Sequence, residues 1–372
     1  MSKNPLIIGA GPTGLAAALF LSERGVLTRI VDQAMKPSPY SKAFGVNPRT
    51  LSLLEGTGVT DRLLAQGRRM TAFNVWQHGR SYFRLDLALV DHRYPFMLIH
   101  SQAETEAALA DALKDRGVAV ERGVAFERIE AGTAETLITL RHSDGREEET
   151  SAEVLFGADG ASSGVRKALG VGFPGSTFEE PWRLFDVVLD TPLAPDEAHA
   201  FLLDGGAAFA VRLSGDVWRV LGNVPDLLER LPGTEAGRID WESDFGISHR
   251  IAERFRVGVA CLAGDAAHIH SGLGARGMNL GIEDAYVFAS LVSEGRVEEY
   301  ETLRKPVVAR VVRQLEKMTA VPRGRSMMAR LARLVLPVVS PVMPALSGPA
   351  RTFILGLDHE VALSRNNPET HT

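Results

Sequence analysis

Residues 6–8 form a short, wholly apolar run, followed by a glycine-rich turn and then by residues 15–24, apolar on nearly every side. A short apolar run bounded by turn residues predicts a buried strand, and the longer one a buried helix. Gly25 stands where a left-handed residue ends a helix. Residues 26–31 then predict a strand closing on Asp32. Strand, turn, helix and strand together make one βαβ unit of a parallel sheet. Residues 105–114 predict a second helix, with Leu109 and Leu113 on one face and a stop near Gly117. Strands are expected over 118–129 and 136–142, with Ser143-Asp144-Gly145 as a hairpin turn. A short buried strand follows at 154–156.

From 175 to 256 the pattern changes. Strand-like stretches such as 209–213 and 218–221 flank turns rather than helices, which predicts a separate antiparallel sheet. Residues 70–97, with Trp76, Tyr82, Phe83, Tyr94 and Phe96, read the same way. Residues 257–262 return to a buried parallel strand, 282–292 to a helix, and 303–319 and 327–336 have helical spacing. The expected architecture is α/β: a discontinuous Rossmann-like nucleotide domain (1–69, 98–172 and 257–325), an inserted β-rich substrate domain (70–97 and 173–256), and a helical carboxy-terminal segment with a polar tail (326–372).

At 372 residues the chain exceeds what one core usually fills, which agrees with two joined domains. Its net charge of −5 argues against a nucleic-acid partner. Cys261 is the only cysteine, so no intrachain disulfide or Cys-x-x-Cys redox pair can form, and a reducing, cytoplasmic setting is expected. No basic region and cleavage site precede the first strand, so no signal peptide is expected. The run 331–346 is broken by Arg333, Pro337, Pro341 and Pro344 and is too short to cross a bilayer.

Three glycine-bearing motifs carry the chemistry: Gly9-Ala10-Gly11-Pro12-Thr13-Gly14, Gly157-Ala158-Asp159-Gly160, and Gly264-Asp265-Ala266-Ala267-His268. In the first, Gly9 permits a tight turn, Gly11 lets the backbone approach a pyrophosphate, and Gly14 allows close helix packing. The helix beginning near Thr13 points free N–H groups and its positive end at the phosphates. Asp32 is placed to accept ribose hydroxyls. The motif alone does not separate FAD from NAD. Asp159 has a second reading as a plain helix cap for the Ser162–Ser163 turn. Five glycines from Gly264 to Gly281 would let backbone lie flat against a ring system. Asp265, His268 and His270 invite a metal reading, but no third histidine is placed by sequence, and no metal is expected.

Taken together, the motifs resemble those of the FAD-dependent aromatic hydroxylases, the single-component flavoprotein monooxygenases typified by p-hydroxybenzoate hydroxylase. The matching residues are 6–14, Ser41-Lys42-Ala43 with Asn47-Pro48-Arg49-Thr50, Ser101-Gln102 with Glu106, 157–166 and 262–285, in family order. The resemblance implies that FAD is held by Gly9, Gly11, Pro12, Thr13, Gly14, Asp32, Gln33, Lys42, Gln102, Val124, Asp159, Gly264, Asp265, Ala275, Gly277, Met278 and Asn279. It gives Asp265 the ribityl chain and turns Gly277-Met278-Asn279 toward the flavin pyrimidine edge. The second motif, with Ser163 and Arg166, is implied to serve a transient NADH or NADPH as well. Lys42 stands where the family has arginine and Asp32 where it often has glutamate. Ser271-Gly272 replace paired prolines, and Ala275-Arg276-Gly277 replace Gly-Gln-Gly.

The implied activity uses NAD(P)H and O2 to hydroxylate an aromatic or polyketide- or quinone-like molecule through a flavin hydroperoxide. Because the cofactor carries the difficult chemistry, no acid–base pair need stand out, and the sequence assigns no catalytic residue. Phe201, Phe209 and Trp218, with Tyr94 and Phe96, are candidates for the pocket wall, although such residues are more often core than ligand contact, at roughly two to one. Alternatives are a flavin-dependent prenyl reductase, a non-redox flavin-dependent cyclase and a flavin-holding protein. A halogenase is disfavoured because its Trp-x-Trp-x-x-Pro hallmark is missing. The segment 304–351 carries a local charge of +9. Its arginines are expected to be solvated over packed helices, with a weak membrane-surface contact as the second reading. A monomer or homodimer is expected.

Overall fold

The computed structural model describes residues 4–38, 43–131, 136–177, 181–272, 274–323, 347–361 and 363. Ser41 and Lys42, the helix expected over 327–336 and most of the polar tail lie outside them.

The first layer is a six-stranded sheet in the order Arg256–Val257, Ala260–Leu262, Leu155–Gly157, Leu6–Ile8, Arg29–Asp32 and Val120–Arg122. Ile7 stands in register with Phe156 on one side and Ile30 on the other, both parallel. Helices Pro12–Glu23, Gln102–Asp115 and Gly277–Ser293 supply the rest of this core. Covered on both faces, the strands need no polar alternation, which is why they read as continuous apolar runs. Leu15, Leu19, Phe20 and Leu21 are 0–1% exposed, and each such burial stabilises by roughly 1.5–3 kcal/mol.

Several boundaries differ from expectation for local reasons. The first helix starts at Pro12, whose fixed φ and missing N–H suit a first helical position. The strand expected over 257–262 splits into an antiparallel pair, because Gly258 takes a left-handed φ of 57° and turns the chain. The helix expected over 282–292 begins at Gly277. It runs through Gly281, where a Cβ would collide with the Thr13 hydroxyl of the first helix. The Gln102–Asp115 helix carries a Ser101/Glu104 capping box that the apolar pattern did not reveal.

The second layer is a seven-stranded sheet in the order Glu235–Phe245, Trp182–Asp190, Val217–Gly222, Gly206–Ser214, Glu197–Leu203, Ala72–Gln77 and Arg80–Asp86. It is antiparallel except where Glu197–Leu203 pairs parallel with Ala72–Gln77. Those strands come from distant parts of the chain, so no hairpin dictates their direction. One face packs Leu184, Val211 and Leu221 against Phe44 and against Met97 and Ile99, which lie on the central strand of a separate three-stranded sheet. The opposite face forms its own core from Phe185, Phe201, Trp218 and Val220 with Leu227 and Leu231. Helix Tyr300–Arg323 packs on Gly277–Ser293, and Phe353 of helix Gly348–Ile354 joins Leu280, Val311 and Leu315 in a small core there. No helix among the described residues is long and apolar enough to cross a membrane.

Candidate active site

The first glycine motif does two different jobs. A Cβ on Gly14 would collide with the Gly9 carbonyl, and one on Gly9 (φ 102°) with the Ala158 carbonyl. Those two glycines therefore let the chain approach itself. Gly11 is different: nothing lies within 4 Å of a Cβ built there, and the residue faces a cavity. It is also the N-cap of Pro12–Glu23, with no side-chain cap and no acid in the first turn. Unpaired N–H groups and the positive helix end thus face open space beside Gly11, Pro12 and Thr13, the arrangement a pyrophosphate needs.

Asp32 ends the second strand with its carboxylate engaged. Oδ2 accepts the Ala10 N–H at 2.6 Å and Oδ1 the Ala34 N–H at 2.7 Å. It therefore braces the glycine turn and still has lone pairs for a ribose. Gln33 is exposed beside it, and Val124 is buried at the head of strand Val124–Ala131. Gln102 lines the cavity with its amide donating to Glu106 at 2.8 Å. In the second motif, Asp159 accepts the Ser163 hydroxyl at 2.6 Å and the Val165 N–H at 3.1 Å. It serves as a cap there, while Ala158, Gly160 and Ala161 line the cavity.

The third motif is anchored from below by a buried charge network. Asp284 Oδ2 accepts the Gly264 N–H at 3.0 Å and the His268 Nε2 hydrogen at 2.6 Å. Its Oδ1 accepts Arg304 Nε at 2.7 Å. Burial opposes ionisation of Asp284, but Arg304, His268 and the Gly264 N–H outweigh it and hold the pKa below the usual carboxylate range. Glu283 extends the cluster to His359 at 2.8 Å and Arg49 at 3.3 Å. Asp265 alone in this group opens to the cavity. Surrounding protein desolvates its carboxyl, raising the pKa, with His268 opposing. His270 lines the cavity close to Gly277. Its Nδ1 hydrogen bonds the Ser271 carbonyl at 2.9 Å, and burial lowers its pKa to about 3, so the ring is neutral.

Gly277 and Met278 open the helix Gly277–Ser293 at the cavity, again with no side-chain cap and no acid in the first turn. Asn279 is buried instead. It accepts the Asn47 N–H at 3.0 Å and donates to the carbonyls of Gly45 and Ala275 at 2.9 and 2.5 Å. It clamps the backbone that faces the cavity. Ala275 takes a left-handed φ of 51° at the lining.

Of the expected site residues, Gly11, Pro12, Thr13, Gln102, Asp265, Ala275, Gly277 and Met278 line one cavity of about 600 Å³. Gly9, Gly14, Asp32, Gln33, Val124, Asp159, Gly264 and Asn279 stand outside its lining. Its other wall is apolar and comes from the seven-stranded sheet and the loop beyond it: Leu184, Leu221, Phe245 and Ile247, with Phe44 opposite. Phe209 stands just behind that wall, its ring 6.0 Å from Phe44. The structure places Phe201 and Trp218 on the far face of the sheet, in the separate core cluster. Strand alternation decides this, since Ala208 and Ala210 point away from the cavity on the same strand that points Phe209 toward it. Tyr94 and Phe96 pack into the core of the first layer. Among the described residues, no three His, Cys, Asp or Glu side chains converge as metal ligands. The Arg304, Glu283 and His359 cluster escaped sequence reading because its members lie on three segments far apart in the chain.

This cradle fits a flavin dinucleotide: two uncapped helix ends, backbone approaches that exclude any Cβ, and an accessible carboxylate between them. Comparison with known proteins gives the same answer. The FAD binding domain family matches residues 4–212 and 228–315. The chain is 32% identical over 394 aligned positions to 6-methylpretetramide 4-monooxygenase of Streptomyces rimosus, covering 98% of this chain and 69% of that protein. The crystal structure of p-nitrophenol 4-monooxygenase from Pseudomonas putida DLL-E4 superposes with a TM-score of 0.84 at 24% identity, covering 98% of this chain and 99% of that one. Anhydrotetracycline hydroxylase from Streptomyces rimosus gives 0.79 at 26% identity, covering 99% and 78%.

Proposed function

Because the chain belongs to the FAD binding domain family and is an FAD-dependent monooxygenase, we propose that it uses NAD(P)H and O2 to hydroxylate an aromatic, polyketide-like or quinone-like ring. One observation carries the reading. The glycine cradle and the apolar wall border a single cavity, so a ring resting on Leu184, Leu221 and Phe245 shares its space with the cofactor.

Bound FAD supplies reduction by the nicotinamide and activation of oxygen. The protein's own residues do the rest. Gly11, Pro12 and Thr13 would hold the pyrophosphate, Asp265 the ribityl hydroxyls, and Gly277 and Met278 the electron-rich edge of the flavin ring. The positive end of the Gly277–Ser293 helix would favour negative charge at that edge. Phe44, Leu184, Leu221 and Phe245 exclude water and orient the substrate face. Neutral His270 adds no charge to that space. We assign the cofactor domain to 1–69, 98–172 and 257–325 and the substrate domain to 70–97 and 173–256, with a cytoplasmic monomer or homodimer as the working state.

Stimulation of NAD(P)H oxidation tests this reading. Phenols and polycyclic quinols should accelerate it at least severalfold over the ligand-free rate. A flavin-loaded protein that no ring compound stimulates would overturn the assignment.

A further inference from the structure

Residues 347–361 lie beyond the stretch that matches the FAD binding domain, which ends at 315. They nevertheless pack against Arg276, a residue that lines its cavity. Arg276, fully buried, lines that cavity where the family carries glutamine. Its Nη1 donates to the Phe353 carbonyl at 2.6 Å and to Asp358 Oδ1 at 2.8 Å. Its guanidinium lies 5.1 Å from the Phe353 ring centre. Asp358 is its only ion-pair partner among the described residues.

The same segment is seated closely elsewhere. Gly356, at φ 72°, packs so tightly on Asn47 that no Cβ would fit. Arg49 donates to the carbonyls of Gly356 and His359. His359 joins Glu283 at 2.8 Å. Next to Arg276, Ala275 holds a backbone conformation that a non-glycine residue keeps only when its surroundings fix it. Asn279 fixes it from one side, through the Ala275 carbonyl. The contact from Asp358 to Arg276 fixes it from the other.

We propose that Asp358 is a positioning residue: by neutralising buried Arg276 it sets the backbone of Ala275 to Met278 at the end of the cavity where flavin and substrate meet. The arginine at 276, inside the matched stretch, thus forms one device with a carboxylate that lies beyond it. Only the final clause, on substrate, rests on the hydroxylase reading. The seating of the loop against the cofactor does not. Removing one partner of a buried pair leaves an uncompensated charge, which is costly, whereas removing both is tolerated.

The test uses Asp358→Asn, Arg276→Gln and the double variant. The readouts are the FAD dissociation constant, from quenching of flavin fluorescence, and the share of consumed NAD(P)H that appears as hydrogen peroxide. Asp358→Asn should weaken FAD binding roughly tenfold and at least double the peroxide share, the size expected for a stranded buried charge. In the Arg276→Gln background the same change should cost less than about threefold. Equal losses in both backgrounds, or no loss in either, would overturn the proposal. If Asp358→Asn alone does not fold, the comparison of Arg276→Gln with the double variant decides: a difference above about threefold overturns the proposal, and a smaller one supports it. FAD affinity needs no turnover, so this outcome is separate from any failure to hydroxylate.

Discussion

His268 Nε2 lies 2.6 Å from Asp284 Oδ2, and that oxygen also accepts the backbone N–H of Gly264 at 3.0 Å. One carboxylate therefore ties both ends of the third glycine motif to the helix Gly277–Ser293, whose amino end lines the cavity. The motif's turn is shaped from beneath, leaving Asp265 as the carboxylate that reaches the open side.

Replacing Asp284 with Asn should remove this support and leave Arg304 with Glu283 at 3.4 Å as its remaining partner. Breaking a buried network of this kind costs about 3–5 kcal/mol. Urea unfolding of the variant should show a loss of that size, accompanied by weaker FAD binding. An unchanged midpoint and affinity would show that the network is incidental.

The two glycines of the first motif should fail differently. In Gly14→Ala the new methyl meets backbone at Gly9, so both the apoprotein's melting temperature and FAD binding should fall. In Gly11→Ala the methyl meets no protein atom, so the apoprotein should melt as the wild type does. It would instead occupy the space beside the uncapped helix end, and FAD affinity should drop at least tenfold. Calorimetry of the apoproteins with fluorescence titration of FAD checks both. Equal FAD binding by Gly11→Ala would place the pyrophosphate elsewhere.

His270 gives the acid limb of stability a definite sign. Burial, followed by the nearby His268, Arg276 and His249, lowers its pKa from 6.5 to about 3, with the Ser271 carbonyl opposing. The unfolded chain binds this proton below pH 6.5 and the folded chain does not. The contribution is therefore complete above about pH 6.5 and is lost as the pH falls toward 3, at up to about 1.4 kcal/mol per pH unit. His270→Gln should flatten the stability curve between pH 6 and 4. His100 and His199, also lowered by burial, would keep their own shares. A slope unchanged by the substitution would show that His270 already takes up its proton in the fold.

The apolar wall should set ring size. Leu221→Trp extends an indole into the cavity from a strand whose neighbours are fixed by the sheet. Affinity for polycyclic quinols, measured by perturbation of the flavin absorption band, should fall at least tenfold, with FAD affinity held within about twofold. Simple phenols should lose much less. An equal loss for both ligand classes would argue that the wall does not contact the substrate.

The parts of the fold built from local chemistry were legible in the chain. Leu6–Ile8, Pro12–Glu23 and Arg29–Asp32 follow from apolar runs, one proline and two glycine stops. The third motif was visible for the same reason, as its glycines permit turns that other residues resist. What stayed hidden depends on long-range packing. Nothing near Arg276 announces Asp358, 82 positions away, and nothing near Asp284 announces Arg304. The pocket wall is not legible in the sequence, because aromatic residues on the two faces of a sheet look alike until the strand register is fixed. Phe209 faces Phe44 at the cavity side, while Phe201 and Trp218 fill the opposite core. Asn279, whose place in the motif implied cofactor contact, spends its side chain on Gly45, Asn47 and Ala275.

The central claim is oxygen transfer within the shared cavity, and isotopically labelled oxygen gas tests it most directly. The flavin-loaded protein, incubated with NAD(P)H and a phenol or quinol that stimulates its oxidation, should yield a product carrying one labelled oxygen atom. NAD(P)H consumption should match product plus peroxide. A product that forms without label, or a ring that is reduced or cyclised while oxygen is left unconsumed, would contradict the account.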